Sequence, residues 1–304
     1  MAKTLFLINP FSGKIRQVGV EKVIRLVEDT YKKQKAQVEV RKIDFEQLDT
    51  WLLNAPNEGF QHIFAVGGDG TANALGAKLV NTSLNMGIIP MGSGNGFARN
   101  IGFSVDLALA IRQSVRPQVL KVDTGMFGKH FFLNVAGVGI DADISARYAS
   151  STTRGILPYI TNTTKSYFHF QPETYTLIVD GKEHTFEEVW AAGVTNGTQW
   201  GYNFKMSPES LLTDGVLEVL IIKKVPVLGM PNMLRNALFG NIDKTRYVER
   251  LHGRHVILKR AQAGIAQVDG EAIEEGAEID IRIFPKSLNL LLPNTITLNK
   301  MKSL

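Results

Sequence analysis

Three short stretches of this chain concentrate residue types that can hold a phosphate: "NPFSGK" at 9–14, "VGGDGTANAL" at 66–75 and "PMGSGNGFAR" at 90–99. Each follows a short apolar run and mixes glycine with hydroxyl or amide side chains. Glycine lets a ligand come close to the main chain and lets successive N–H groups turn outward, where their partial positive charge meets an anion. Pro10 ends the first run, the Ser12–Gly13 pair frees the amides behind it, and Lys14 brings a formal charge. One such loop is a turn like many others; three at consecutive strand ends would build one phosphate-sized basin. Asp69 is the odd member, because a bare carboxylate among outward amides repels phosphate unless a cation comes between them. Mg²⁺ suits that position, since it binds through one or two carboxylates and completes its shell with substrate oxygens. The plainer reading makes Asp69 a cap for a helix that begins near Thr71. No GxxxxGK[ST] occurs and no GxGxxG follows the first strand, which disfavours an ordinary P-loop or dinucleotide site.

The elements that carry these loops follow from hydrophobic periodicity. "KTLFLI", "AQVEVRKI", "HIFAV" and "NMGIIP" read as strands, while "RQVGVEKVIRLVEDTYKKQ", "FEQLDTWLLNA" and "TANALGAKLV" carry apolar residues at helical spacing. Strand and helix in turn predict a parallel sheet with helices on both faces, because parallel neighbours need a long crossover. Ligands of such sheets bind beyond the carboxyl ends of the strands, where the three loops fall. After residue 121 the texture changes to strands parted by turns, among them "TYTLIVDGKEHTFEEVWAAGVTN", "GVLEVLIIKK", "RHVILKR", "IAQVDGE", "EIDIRIFP" and "LNLLLP". "GMFGK" and "IVDGKEH" read as hairpins, the second with an Asp180–Gly181 turn. Helical stretches near 155–168 and 228–240 interrupt this antiparallel β domain.

Further carboxylates and histidines stand in that second half. In "GVGIDADIS" Asp141 and Asp143 are two apart, so on an extended segment they share a face and could take a proton from an alcohol or bind a cation or amine; the bland reading is a polar turn. "VDGE" at 268–271 and "TDG" at 213–215 read by themselves as ordinary turns. His252 and His255 lack a third ligand and read as no metal site. Arg154, in "RYASSTTRGILPYITNTTKSYFHF", suits phosphate contact or a lipid-facing lid as well as packing.

Composition bounds the rest. With 304 residues, 44% of them hydrophobic and 21% charged, the chain can bury two cores. Cysteine is absent, which excludes disulfides and thiolate zinc sites and fits a reducing cytoplasm. The opening "MAKTLFLINP" is too short an apolar run for a signal peptide, and nothing approaches the ~18 to 20 residues of a membrane span, so a soluble or peripheral protein is expected. A net charge of +5 favours anionic partners, but the charge is dispersed and no nucleic-acid motif is present, so none is expected to bind.

Taken together, "NPFSGK", "GGDGTAN", "GSGNGFAR", "GVGIDAD" and "VDGE" occur in the order and approximate spacing of the diacylglycerol kinase and sphingosine kinase catalytic family, bacterial lipid kinases included, and the chain resembles that family over essentially its whole length. "GGDGT" alone is shared with NAD kinases. The resemblance implies an NAD kinase/diacylglycerol kinase-like α/β fold: a three-layer parallel-sheet nucleotide domain over 1–121, an antiparallel, sandwich-like β domain for the lipid over 122–286, and a final segment, 287–304, that returns to the first. It implies ATP as co-substrate, with Asn9, Pro10, Ser12, Gly13, Lys14, Gly67, Gly68, Asp69, Gly70, Thr71, Asn73, Gly92, Ser93 and Asn95 around the nucleotide. Asp69 would hold Mg²⁺ through the nucleotide, and Glu271 would act as proton acceptor or magnesium contact. Asp143 would meet the lipid headgroup, with Asp141 and Arg154 beside it. "SLLTDGVLEVL" resembles a structural magnesium segment, which would use Asp214 and the carbonyls of Leu211 and Val216.

The expected activity is transfer of the γ-phosphate to a hydroxyl of a diacylglycerol or sphingoid-type lipid. The expected location is the cytoplasm with transient membrane association, and the chain is compatible with a homodimer. A soluble-substrate kinase of NAD kinase type and a nucleotide-binding regulator without turnover are the alternatives. The chain departs from the pattern at two places: the acid that follows asparagine in many bacterial diacylglycerol kinases is Gly96, and "VRKIDFEQ" lacks the threonine and Gly-Asp-Ala that usually end the second strand.

Overall fold

The computed structural model describes residues 2–151, 156–200 and 204–296, and the chain divides into two compact units, Met1–Val122 with the segment from Lys286 onward, and Asp123–Pro285. In the first unit, strands β1 (Lys3–Ile8), β2 (Val38–Lys42), β3 (Phe60–Gly67) and β4 (Asn85–Pro90) pair in parallel in the order β2-β1-β3-β4. β1, β3 and β4 are almost continuously apolar because helices cover both faces of a parallel sheet. Phe6 stacks on Phe64 with ring centroids 4.9 Å apart, at the middle of that core.

Local sequence sets the helices. The expected single helix after β1 is two, α1 (Gly13–Val18) and α2 (Val20–Lys33), because Gly19 sits at φ 88° and breaks the spiral. α2 buries Val23, Val27 and Tyr31, four apart along one face. α3 (Leu48–Asn54) is shorter than its apolar pattern predicted, and α4 (Asp69–Leu79) starts two residues earlier, at Asp69 itself. α5 (Gly96–Asn100) and α6 (Leu107–Gln113) follow β4; Asp106 caps α6 by accepting the Leu109 N–H at 2.8 Å.

The second unit is largely antiparallel. Its elements are β5 (Gln118–Phe127, which enters from the first unit), β6 (His130–Phe132), β7 (Val135–Gly139), α7 (Ile140–Ala149), α8 (Ile156–His169), β8 (Glu173–Val179), β9 (Lys182–Thr195), β10 (Leu217–Lys223), α9 (Met230–Phe239), β11 (Val248–Gly253), β12 (His255–Lys259), β13 (Gly264–Val268) and β14 (Glu271–Glu275). The expected strands "EIDIRIFP" and "LNLLLP" are one, β15 (Glu278–Leu292); its first residues pair antiparallel with β12, and Asn289 and Leu290 pair parallel with Asn85 and Met86 in the first unit. Both expected hairpins form, β5–β6 and β8–β9. Asp180 and Gly181 have φ 47° and 85°, and Asp269 and Gly270 between β13 and β14 have 49° and 85°, the double left-handed bend of a two-residue hairpin turn. No described helix is long and apolar enough to cross a membrane.

Candidate functional site

The three glycine-rich corners of the first unit are tied to one another. Asn9 joins the first to the second: its backbone N–H donates to Val66 O at 3.0 Å and its Nδ2 donates to Thr71 Oγ1 at 2.9 Å. Lys14 N–H donates to Met91 O at 3.1 Å, joining the first to the third, and Met91 N–H donates to Gly67 O at 2.7 Å, joining the third to the second. Close approach explains the glycines. A Cβ on Gly92 would lie 2.5 Å from Gly68 Cα, and one on Gly67 would lie 2.4 Å from Thr71 Oγ1. Gly13 is different, since its Cβ would meet only Ser93 Oγ at 4.0 Å; the first and third corners face each other there across open contact.

Within this basin the expected residues divide by what holds them. Asn95 is buried in a left-handed conformation, accepting from Gly92 N–H and donating to Gly92 O, both at 2.8 Å, so it braces the third loop. Gly68 precedes α4, and Asp69, Gly70 and Thr71 form its first turn, whose N–H groups have no partner within the helix. Pro10, Ser12 and Ser93 are half-buried beside them, and Asn73 lies half-buried one turn along α4. Asp69 does not cap a helix that begins near Thr71; its Oδ1 accepts the Phe97 N–H at the start of α5, at 3.3 Å. A half-buried carboxylate among hydroxyl and amide donors fits Mg²⁺ carried on a phosphate chain, and no group of three or more His, Asp or Glu side chains that could cage an ion by itself occurs among the described residues.

Arg99 is the functional candidate that sequence reasoning missed. Burial and then the positive charge of Arg99 hold the Lys14 ammonium below its ordinary lysine value, against the opposing pull of Asp106. The Nε of Arg99 is itself buried without a hydrogen-bond partner among the described residues. Two cations held close and partly stripped of water are relieved by an anion between them. Arg99 ends the third motif, but nothing in the chain's local pattern says that its charge acts on Lys14.

In the second unit, Asp141 and Asp143 are not on an extended segment. Both lie in the first turn of α7, where two steps turn the side chain by about 200°, so they do not share a face. Gly139, at φ 105° with no room for a Cβ beside Trp190 O, stops β7 and lets the helix begin. Asp141 Oδ1 accepts Ala142 N–H at 2.9 Å and Oδ2 accepts Gln267 Nε2 at 3.0 Å; burial pushes its carboxyl up to about 6. Asp143 Oδ2 accepts from Arg147 Nε at 2.7 Å and from Ser166 Oγ at 2.6 Å, tying α7 to α8.

Glu271 opens β14, directly behind the hairpin turn. The surrounding protein strips water from its carboxyl even though the residue stays exposed, the Asp269 charge adds to that, and its affinity for a proton is raised. Asp269 anchors the turn: its carboxylate accepts three backbone N–H groups, from Leu133 at 2.8 Å, Asn134 at 2.9 Å and Val135 at 3.0 Å. Asp214 is exposed and accepts Val216 N–H at 3.0 Å, so the 213–216 stretch is a tight turn, with Leu211 and Val216 half-buried on either side. His252 and His255 lie on β11 and β12. Arg154 lies outside the described residues.

Comparison with known proteins agrees with this architecture. Residues 3–127 match the model of the diacylglycerol kinase catalytic domain, and residues 134–292 match that of the YegS C-terminal NAD kinase beta sandwich-like domain. A probable lipid kinase YegS-like protein of Pseudomonas putida is 29% identical over 242 residues, covering 77% of this chain and 78% of the relative. A diacylglycerol kinase of Bacillus subtilis is 27% identical over 207 residues, covering 66% and 65%. The crystal structure of a putative diacylglycerol kinase from Bacillus anthracis shares the fold, with a TM-score of 0.75 over 97% of this chain and 99% of that one at 17% identity. Two domain models matched in order, the second over more than half of the chain, establish that this protein belongs to the diacylglycerol kinase-like, YegS-type family of lipid kinases.

Proposed function

We propose that this protein is an ATP-dependent kinase that transfers the γ-phosphate to a hydroxyl of a diacylglycerol or sphingoid-type lipid. The observation that carries the reading is the tied basin of the first unit, with the positive charge of Arg99 acting on Lys14 at its first corner. The phosphates lie against Asn9, Ser12, Gly13 and the 67–73 corner, with Ser93 opposite and the two cations offsetting their charge. Asp69 offers an oxygen to Mg²⁺, which when bound would neutralise phosphate oxygens and hold them in line. The acceptor oxygen forms a bond to the γ-phosphorus, the bond to the bridging oxygen breaks, and ADP leaves with the electron pair. Glu271 takes the hydroxyl proton; its raised proton affinity suits a general base. Asp143, with Asp141 behind it, is the proposed headgroup contact, and Asp214 with the carbonyls of Leu211 and Val216 is the proposed seat of a structural Mg²⁺. The enzyme would work in the cytoplasm at the membrane surface; a homodimer is compatible with this role.

The test is transfer of labelled phosphate from ATP onto a panel of diacylglycerol, sphingosine, an undecaprenol-like alcohol and NAD. Label in one of the lipids supports the reading and names the acceptor. Label in NAD alone replaces it with a soluble-substrate kinase, and ATP binding without any product replaces it with a regulator. Asp69→Ala should abolish transfer in a folded protein, and Glu271→Gln should slow transfer while ATP affinity stays near that of the unsubstituted protein.

A further inference from the structure

Helix α9 is apolar on two faces, and among the described residues only one of them has a partner. Met233 and Ala237, four residues apart, are buried in a small core with Trp190, Leu220, Val225 and Ile242. Leu234 and Leu238, also four apart, form a neighbouring stripe that is open to solvent, and Phe239 ends the helix 71% exposed. Immediately before the helix, the turn Val227–Gly229 lifts two more apolar side chains outward, Leu228 with 96% of its surface free. A surface helix normally places polar residues on these positions. One exposed leucine needs no explanation, whereas five large apolar residues within 227–239 make a patch that does. The turn is not loose: Gly229 N–H donates to Pro226 O at 2.8 Å, and Tyr167 donates its hydroxyl to Val225 O at 3.1 Å.

Charge says what covers the patch. From 224 to 246 the chain carries Lys224, Arg235, Lys244 and Arg246, all exposed, against the single carboxylate Asp243. An apolar stripe with a basic border is complementary to an anionic bilayer, whose acyl boundary takes the leucines and whose phosphates take the cations. A second copy of the chain fits poorly, since a two-fold contact sets the same basic border against itself. We infer that the 227–229 turn and the outer stripe of α9 dock this protein onto anionic membrane, with Val227, Leu228, Leu234, Leu238 and Phe239 entering the interface and the four basic residues on the headgroups. This surface is separate in sequence from every residue assigned to the reaction, and its docking does not depend on phosphoryl transfer.

The test is sedimentation of the full chain with vesicles of phosphatidylcholine, with and without phosphatidylglycerol. The unsubstituted protein should partition onto the mixed vesicles and far less onto phosphatidylcholine alone. Leu228→Glu with Leu238→Glu should weaken partitioning by on the order of a hundredfold, about tenfold for each side chain kept in water. Lys224→Gln with Lys244→Gln should weaken it by on the order of tenfold and flatten its salt dependence. Leu228→Trp should show a blue-shifted emission with the mixed vesicles. All four positions are exposed, and an unchanged circular dichroism spectrum and urea midpoint in each variant report that the fold is intact. Equal partitioning of the leucine variant and the unsubstituted protein overturns the inference, as does a dimer that Leu228→Glu with Leu238→Glu splits without changing vesicle binding. Vesicle binding through this patch by a protein that labels only NAD would leave the surface standing and remove the lipid acceptor.

Discussion

Gly92→Ala concentrates the packing of the basin in one atom. The added methyl would sit 2.5 Å from Gly68 Cα and 2.9 Å from Asn95 Oδ1. Carbon atoms rest at about 3.5–4.0 Å, so the second and third corners must separate by about 1 Å. Neither contact can step aside easily, because one is backbone and the other is a side chain fastened to Gly92 at both ends. Overpacking of this kind costs roughly 1–3 kcal/mol, which urea unfolding resolves. The functional effect should be larger than the stability effect: a displacement of about 1 Å in groups that position a reacting phosphate is worth about a hundredfold in rate. Gly13→Ala is the control for stability alone, since its methyl meets only Ser93 Oγ at 4.0 Å and should leave urea unfolding unchanged. Urea unfolding should separate the two variants, and titration calorimetry with ATP and initial rates with the labelled-phosphate assay should read the functional loss in Gly92→Ala. A Gly92→Ala protein that is as stable as the parent, binds ATP equally and turns over equally would refute the claim that the corners must touch.

Arg99→Gln should raise the dissociation constant for ATP by about tenfold or more, the loss of a charge-assisted contact of ~1.5–3 kcal/mol. It should also let the Lys14 amine return toward the ordinary lysine range, which NMR titration would detect; an unchanged ATP affinity rejects the anion role. Asp269→Ala leaves the N–H groups of buried Leu133, Asn134 and Val135 without their acceptor and should cost about 2–4 kcal/mol in urea unfolding, a value under 1 kcal/mol meaning that water replaces the carboxylate. For Asp141, burial holds the carboxyl at about 6 in the folded chain against 3.8 for the free side chain. Between those values the folded chain binds the extra proton, so this group lowers stability as pH rises through the window and leaves its full cost in place above it. Asp141→Asn should flatten that segment of the pH–stability curve by up to ~1.4 kcal/mol per pH unit, and an unaltered slope would refute the assignment.

Hydrophobic period and turn chemistry are local, and what they control was legible in the chain. The alternation through "HIFAV" and "TANALGAKLV", the hairpin at Asp180–Gly181 and the glycine corners behind β1, β3 and β4 all follow from neighbours a few residues apart. The same local signals failed where two readings were both permitted. "GVGIDADIS" could continue the preceding strand, and the backbone turn at Gly139, at φ 105° where it packs so closely on Trp190, far along the chain, that only glycine fits, ends it and puts Asp141 and Asp143 on a helix. The single helix expected after β1 broke for the opposite reason, a left-handed Gly19 whose effect a periodicity count does not weigh.

Residue type and spacing by themselves therefore determined the fold class and the three glycine-rich loops at the strand ends, because backbone conformation at glycine, proline and strand ends is decided within a few residues. Only the tertiary structure decided which groups share a site. The effect of the Arg99 charge on Lys14, the reach of Asp69 to the Phe97 N–H, the anchoring of the 269–270 turn on the Leu133–Val135 amides and the α9 stripe that no described residue covers are interactions, or missing contacts, between segments far apart in sequence. They depend on how sheet and helix surfaces close over one another, and the energies that select them belong to burial and charge in three dimensions rather than to any local pattern.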